Sequence, residues 1–183
     1  MVLNHTAFGL GEFMRYRSRI LAASTAAVGL LAVTAAAQAS GNVVAFAGYA
    51  TGTIVVKTNE RRLYLVVDAQ RAISYPVGVG KSGKQWQGTS HIDGKYVRPA
   101  WSPPAEVRRD KPSLPDMIPG GTPQNPMGAA AMTLAGTEYA IHGTNMPGSI
   151  GGFVSYGCIR MYNQDITDLF ERVSVGTTVV VTR

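Results

Sequence analysis

The one cysteine of the 183-residue chain, Cys158, lies in a glycine-bearing segment that could carry nucleophilic chemistry. This segment, residues 155–161, has the sequence SYGCIRM, and His142 precedes it within residues 139–144 (YAIHGT). A thiol becomes a strong nucleophile when a neighbouring imidazole takes its proton. We therefore predict that the intervening loop brings His142 beside Cys158 as its base, with the thiol held as a thiolate paired with imidazolium.

The residues around this pair supply candidates for the remaining roles. No acidic residue immediately flanks His142, so the backbone carbonyl of Gly143 is the local candidate for orienting the imidazole. Gly157 has no Cβ, which leaves the backbone amides of Gly157 and Cys158 free to stabilise an oxyanion. Arg160 offers a fixed cation suited to a substrate carboxylate, and an ordinary structural ion pair is the alternative.

Composition narrows the class of protein. Charged residues make up only 15% of the chain and glycine contributes 21 residues, a combination that favours a turn-rich β protein. The formal net charge is +6, but outside the N-terminal segment no run of Lys and Arg interleaved with aromatics indicates nucleic-acid binding. Three histidines and one cysteine make a poor zinc set, so we expect no metal and no other cofactor.

The N-terminus has the pattern of an export signal. Residues 14–19 (MRYRSR) form a positive n-region, residues 20–36 are mainly apolar, and residues 37–39 (AQA) fit signal peptidase cleavage before Ser40. Polar residues within the apolar run weaken it as a permanent membrane span, and a retained single-helix anchor is the alternative. We predict a mature protein in the periplasm or cell envelope.

Export changes what the unpaired Cys158 implies. An intramolecular disulfide is impossible with one cysteine, which leaves a buried small hydrophobe, an intermolecular bridge or a reactive thiol. We predict three regions along the chain: the signal region 1–39, a loosely packed lead-in 40–52, and a catalytic domain 53–183.

Strands dominate the first part of this domain. Residues 53–58 and 62–68 each have a strand-like pattern, and turn-forming residues lie between them, so together they predict a hairpin. Residues 73–79 predict a further strand. Residues 86–128 contain eight prolines together with apolar anchors, which indicates a long ordered loop. Such a loop could form a binding wall or lid, or it could be a structural cover over one sheet face.

The second part surrounds the two candidate residues. Residues 138–142 predict a strand ending at His142, and Asn163 is the predicted N-cap of a helix that follows the cysteine loop. That helix should pack with Ile166, Leu169, Phe170 and Val173, and residues 177–181 predict a final strand. The fold class is therefore mainly β, with a short helix after the cysteine and a long Pro-rich loop.

In order and spacing, residues 142–144 (HGT) and 155–161 (SYGCIRM) closely resemble the L,D-transpeptidase (YkuD-like) family. The signature of that family is His-Gly, a glycine-bearing loop, then Ser/Thr-His-Gly-Cys followed by an apolar residue and Arg. The resemblance extends over residues 53–183, including 101–106 (WSPPAE) and 125–129 (NPMGA). It implies a β-sandwich-like catalytic fold.

The resemblance also implies an activity. In such an enzyme the Cys158 thiolate attacks the diamino acid carbonyl of a peptidoglycan stem tetrapeptide and releases D-alanine. The acyl group then passes to an amine, which forms a 3–3 cross-link or attaches an outer-membrane protein or lipoprotein to the wall. A hydrolase that uses water as the acceptor and a non-catalytic wall-binding protein are the alternatives.

The family assigns roles residue by residue. Those that match here are the nucleophile Cys158, the base His142 with the Gly143 carbonyl, the oxyanion amides of Tyr156, Gly157 and Cys158, and the substrate-binding residues Ser155, Tyr156 and Arg160. One position departs from the pattern, because Tyr156 stands where the family most often has a second histidine. We expect Tyr156 to contribute its backbone amide and a wall of the cleft.

Overall fold

The computed structural model describes residues 41–183, so the predicted signal region 1–39 lies outside the described residues. Within residues 41–183, eleven strands, two α-helices and one 3-10 helix follow in chain order. The elements are β1 (Asn42–Ala45), β2 (Ile54–Lys57), β3 (Arg62–Val66), β4 (Arg71–Pro76), β5 (Val79–Gly80), β6 (Gly88–Val97), α1 (Ala105–Asp110), β7 (Ala130–Leu134), β8 (Ala140–His142), a 3-10 helix (Pro147–Ser149), β9 (Phe153–Ser155), β10 (Ile159–Arg160), α2 (Asn163–Arg172) and β11 (Thr178–Thr182).

Within the described residues, nine strands form one sheet in the order β1-β4-β3-β2-β11-β6-β7-β8-β10, and β5 and β9 form a small second sheet. The predicted hairpin is confirmed, because β2 and β3 pair antiparallel with Ile54 opposite Leu65 and Val56 opposite Leu63. These four side chains are buried, as expected for β-branched and leucine residues that alternate toward a core.

The predicted lead-in is not irregular over its whole length. Residues Asn42–Ala45 form β1, which pairs antiparallel with β4 at the edge of the sheet. Phe46 then stacks on the ring of Tyr64 with centroids 4.4 Å apart. Three of the four β1 residues are exposed, so the lead-in is ordered by backbone pairing to β4 and not by burial of its side chains.

Strand β6 joins the two halves of the sheet. Its first half pairs with β11 and its second half with β7, with an irregular register between Ile92 and Gly94. The core cluster contains side chains from both halves and from helix α2, among them Ile54, Ile92 and Ile166. One core therefore lies between the two halves of the sheet and the helix, which agrees with the predicted mainly β fold.

Helix α2 packs with the predicted face, since Ile166, Leu169 and Val173 are buried. Its carboxyl end is fixed by Lys95, whose Nζ donates to the backbone carbonyls of Phe170 and Val173. Helix α2 is thereby held against the sheet close to the cysteine loop.

Strand β6 occupies the first part of residues 86–128, so this segment is not a loop throughout as predicted. The remaining Pro-rich segment is ordered by its own contacts. It contains the short helix α1, and Trp101 and Ile118 exchange backbone hydrogen bonds of 2.9 and 2.8 Å. The buried Asn125 side chain donates to three carbonyls of this segment, those of Pro99, Ile118 and Pro119. Among residues 41–183, no helix has the length and apolar character needed to cross a membrane.

Candidate active site

The site forms where β8 and β10 lie side by side. They pair parallel, with Ile159 opposite Ile141 and Arg160 opposite His142. The two isoleucines face the core, so His142 and Arg160 share the other face of the sheet. Cys158 immediately precedes β10, between β9 and β10, and not on a loop between sheet and helix as predicted. Strand pairing therefore brings the segment that follows Cys158 alongside the strand that carries His142.

His142 is held by backbone carbonyls. Its side chain is only 4% exposed, and its Nδ1 lies 2.7 Å from the carbonyl oxygen of Gly143. Because a carbonyl oxygen can only accept a hydrogen bond, this contact requires the proton on Nδ1 and leaves Nε2 as the basic nitrogen. The carbonyl of Pro126 also interacts with the ring.

Burial keeps the imidazole neutral. Desolvation is the largest cause that lowers the pKa of His142 to about 4, and the positive charge of Arg160 is the second. The carbonyls of Gly143 and Pro126 oppose this shift. Cys158 retains some solvent exposure as a residue, but the protein atoms packed around its thiol raise the pKa of Cys158 by desolvation. A hydrogen bond to the Ala140 backbone and the charge of Arg160 act in the opposite direction.

The free site therefore favours a neutral thiol beside a neutral imidazole, which corrects the expected thiolate–imidazolium pair. Desolvation penalises each charged form and is the largest effect on both groups. A neutral imidazole can accept a proton from a thiol, which is the general-base chemistry open to such a site. The charge of Arg160 favours negative charge on Cys158.

This electrostatic state predicts the pH dependence of Cys158 alkylation by iodoacetamide. The rate should be nearly constant at neutral pH and should fall as the pH drops through about 4, because protonated His142 cannot accept the thiol proton. Thiolate ultraviolet absorbance should be absent at neutral pH and should emerge above the ordinary thiol range, because burial raises the pKa of Cys158. Strong thiolate absorbance at neutral pH that His142→Ala removes would contradict the neutral pair.

Ser155 fixes the shape of the cysteine loop. Its Oγ donates to the Cys158 carbonyl at 2.6 Å and accepts from the Gly157 amide at 3.1 Å. Ser155 is 2% exposed. The structure therefore does not support the predicted substrate-binding role of Ser155, because its hydroxyl is buried and already forms two hydrogen bonds within the loop.

The same bonds revise the predicted oxyanion donors. The Gly157 amide is already used by Ser155, whereas no acceptor for the Tyr156 or Cys158 amide occurs among residues 41–183. An oxyanion beside the thiol would thus meet the amides of Tyr156 and Cys158, and Gly157 has a conformational role instead.

Gly157 lies against an aromatic wall that the sequence did not predict. Its φ is +129°, and a Cβ at this position would lie 2.3 Å from the Tyr139 ring. Trp86 stacks on Tyr139 with centroids 5.5 Å apart, and its Nε1 donates to the Gly157 carbonyl at 3.0 Å. The sequence predicted Trp86 in the Pro-rich loop and Tyr139 in a strand. Only the aromatic type of these two residues could have indicated this role.

We expect Gly157→Ala to disorder the cysteine loop. The left-handed backbone and the clash with Tyr139 should lower the free energy of unfolding by roughly 1–3 kcal/mol and slow Cys158 alkylation. Thermal unfolding and alkylation kinetics measure the two effects. Gly148→Ala is the matched control, since nothing lies within 4 Å of its added Cβ. Equal behaviour of the two variants would contradict the close contact at Gly157.

Tyr156 points toward helix α1. Its hydroxyl donates to Asp110 at 2.8 Å, and the Lys81 ammonium lies 3.7 Å from the centroid of its ring. The hydrogen bond from Tyr156 is the largest cause that lowers the pKa of Asp110. The tyrosine that replaces the usual histidine therefore ties the cysteine loop to the Pro-rich segment.

Arg160 is a cation without a counter-ion in the part of the chain that the structure describes. Among residues 41–183 it forms no salt bridge, its Nε is buried without a hydrogen-bond partner, and its Nη1 reaches only Ser149 Oγ at 3.5 Å. The structural ion pair that the sequence left open is therefore not formed with any described residue. The guanidinium remains available to an anion beside Cys158.

Asn163 does not cap helix α2 as predicted. Tyr162 occupies the N-cap position, and the Asn163 side chain instead bonds to the loops on either side of His142. No group of three or more His, Cys, Asp or Glu side chains that could hold a metal ion occurs within the described residues.

Residues 51–181 match the family model described as YkuD, the L,D-transpeptidase catalytic domain. A protein of Escherichia coli (strain K12) named probable L,D-transpeptidase YbiS is 42% identical over 135 residues. The alignment covers 69% of this chain but 43% of that protein, so the chain spans less than half the length of this relative.

Solved structures show the same fold. An L,D-transpeptidase from Mycobacterium smegmatis is similar with a TM-score of 0.57 at 20% identity, over 72% of this chain and 58% of that chain. A Brucella melitensis protein described as a probable carnitine operon oxidoreductase is 41% identical, with a TM-score of 0.53, over 78% of this chain and 92% of that chain.

Proposed function

Because the chain belongs to the YkuD family of L,D-transpeptidase catalytic domains, we propose that it is a peptidoglycan L,D-transpeptidase with Cys158 as its nucleophile. The observation that carries the proposal is the pairing of β8 with β10, which places His142 opposite Arg160, a cation without a salt bridge among the described residues whose charge acts on Cys158. The description of the Brucella protein as an oxidoreductase is not carried over, because the family model and the E. coli relative both name the transpeptidase.

The proposed reaction starts from the neutral pair. Nε2 of His142 accepts the thiol proton while Cys158 Sγ attacks the carbonyl of the third stem residue, a diamino acid. The amides of Tyr156 and Cys158 stabilise the oxyanion. The intermediate collapses to a thioester, and D-alanine leaves as its amine takes the proton from His142.

The second half of the reaction repeats these steps with an acceptor amine. His142 takes a proton from the amine as it attacks the thioester, and the thiolate that leaves recovers a proton from His142. An amine on another stem would give a 3–3 cross-link, and a lysine of an outer-membrane protein or lipoprotein would give attachment to the wall. We propose that this occurs in the periplasm, reached through the signal region 1–39.

A carbapenem tests the proposed nucleophile, because its strained carbonyl acylates a reactive cysteine. Incubation of the purified chain should add the mass of one carbapenem, and peptide mapping should locate the adduct at Cys158. The absence of any adduct under conditions where the protein is folded would favour the non-catalytic wall-binding alternative. An adduct on another residue would contradict the assigned nucleophile.

We propose that Arg160 binds the terminal carboxylate of the stem tetrapeptide. A charge-assisted hydrogen bond contributes about 1.5–3 kcal/mol, so Arg160→Gln should lower kcat/KM for the tetrapeptide roughly 10- to 100-fold. The matched substrate is the same tetrapeptide with a C-terminal amide, on which the loss should be clearly smaller because only the effect of the Arg160 charge on Cys158 and His142 remains. A similar loss on both substrates would mean that Arg160 does not recognise the carboxylate.

A further inference from the structure

Asn163 makes three hydrogen bonds to the two loops that enclose His142. Its Oδ1 accepts from the backbone amides of Ala129 and Thr144, each at 3.0 Å, and its Nδ2 donates to the Thr144 carbonyl at 3.0 Å. Asn163 is the first residue of α2, whose other end is held by Lys95. The asparagine therefore connects an anchored helix to both loops.

The bond to the Thr144 amide acts directly on the group that holds His142. The Thr144 N–H and the Gly143 carbonyl belong to one planar peptide group and point in opposite directions. One edge of this peptide donates to Asn163 Oδ1, and the other edge meets His142 Nδ1 at 2.7 Å. Fixing the N–H fixes the carbonyl, and hydrogen bonds in such a chain polarise one another.

Two glycines make room for this arrangement. A Cβ on Gly128 would lie 2.2 Å from Asn163 Oδ1, and a Cβ on Gly143 would lie 2.3 Å from it. The amide oxygen of an otherwise exposed asparagine is thus packed against two backbone positions that lack side chains. The close fit restricts Oδ1 to one position beside the two amides.

We propose that Asn163 is a positioning residue that sets the tautomer of His142 through the Gly143–Thr144 peptide group. It takes the place of the acidic third member of a hydrolase triad, with a peptide group between it and the imidazole. The inference rests on the proposed function, because the tautomer affects catalysis only where His142 serves as the base for Cys158. Its effect on the imidazole can nevertheless be observed without any reaction.

The chain offers a matched control in Asn145. This asparagine also bridges the loop after His142 to the Pro-rich segment, since its Nδ2 donates to the carbonyls of Pro123 and Gln124 at 3.2 and 3.1 Å. It makes no hydrogen bond to the Gly143–Thr144 peptide within the described residues. A variant at Asn145 therefore removes loop tethering but leaves the connection to the imidazole.

The experiment compares Asn163→Ala, Asn163→Asp and Asn145→Ala in the full chain. Carbapenem acylation of Asn163→Ala should slow on the order of 10- to 100-fold, the range found for partners that orient metal-ligating histidines. Asn163→Asp keeps an acceptor for the Thr144 amide and should lose less. Asn145→Ala should stay within about twofold of wild type.

Nitrogen-15 NMR of the His142 ring gives a readout that loss of stability alone would not change. Wild type should show the proton on Nδ1, and Asn163→Ala should show a mixture of tautomers, whereas Asn145→Ala should resemble wild type. A single Nδ1–H tautomer and a wild-type acylation rate in Asn163→Ala would overturn the inference. An equal loss in Asn145→Ala would also overturn it, by reducing Asn163 to a general tether.

Two other outcomes can be distinguished from failure of the inference, namely a wild-type chain that is not acylated and an Asn163→Ala variant that does not fold. If the wild-type chain is not acylated at all, the proposed function fails, and the tautomer comparison alone decides the role of Asn163. If Asn163→Ala does not fold, Asn163→Ser, which also lacks the amide oxygen that accepts from Thr144, provides the comparison with Asn145→Ala. A more altered tautomer ratio in Asn163→Ser than in Asn145→Ala would support the inference, and the reverse order would overturn it.

Discussion

Cys158→Ala should abolish carbapenem acylation and D-alanine release, with a loss on the order of the 10⁶-fold that follows removal of a triad nucleophile. The substitution removes the atom that forms the thioester, and no other cysteine exists in the chain to replace it. Intact-mass measurement after carbapenem treatment detects the adduct directly, and release of D-alanine from a tetrapeptide measures turnover.

The fold should tolerate this change. Cys158 is partly exposed and does not belong to the core cluster, so the free energy of unfolding should change by less than about 1 kcal/mol. Unfolding curves of wild type and Cys158→Ala therefore serve as the control for activity loss. An adduct that persists in a folded Cys158→Ala variant would contradict covalent catalysis by Cys158.

His142→Ala should slow acylation of Cys158 by about 10³-fold, within the 10²- to 10⁴-fold that general-base catalysis contributes. Without the imidazole, reaction depends on ionisation of a thiol whose pKa is raised by burial. The residual rate should therefore climb with pH through the range where the thiol ionises, whereas wild type should be nearly constant there. Stopped-flow acylation at several pH values measures both rate and profile.

His91→Ala is the matched control for this substitution. His91 lies exposed on β6, where it pairs with Thr178, and its loss should leave acylation within about twofold. Tyr156→Phe should also be mild, because it removes a solvent-exposed hydrogen bond to Asp110 and retains the backbone amide. A greater loss in Tyr156→Phe than in His142→Ala would reverse the assignment of the base.

The residues proposed for the site can be selected from the sequence because their types and order are local information. The His-Gly pair, the Gly-Cys step and Arg160 can be identified without coordinates, as can the β2–β3 hairpin with its alternating apolar residues. The parallel pairing that brings Arg160 beside His142 joins residues distant in the chain, and only the presence of a loop between them was predictable.

The errors arose where a polar group had more than one possible partner. Ser155 and Asn163 each have a side chain that suits substrate binding or helix capping, but tertiary packing gives them backbone partners within the site. Composition also could not reveal that burial neutralises both Cys158 and His142, because desolvation depends on atoms contributed by several elements. Side-chain identity thus gives the candidates, and the packed environment decides their roles.

Product analysis of a purified disaccharide–tetrapeptide tests the central claim most directly. Incubation with the wild-type chain should release D-alanine and yield a dimer joined between the third residues of two stems, and Cys158→Ala should yield neither. Tandem mass spectrometry distinguishes a 3–3 linkage from other linkages. Release of tripeptide without any dimer or protein-bound stem would identify a hydrolase, and unchanged tetrapeptide with folded wild-type protein would contradict the proposed activity.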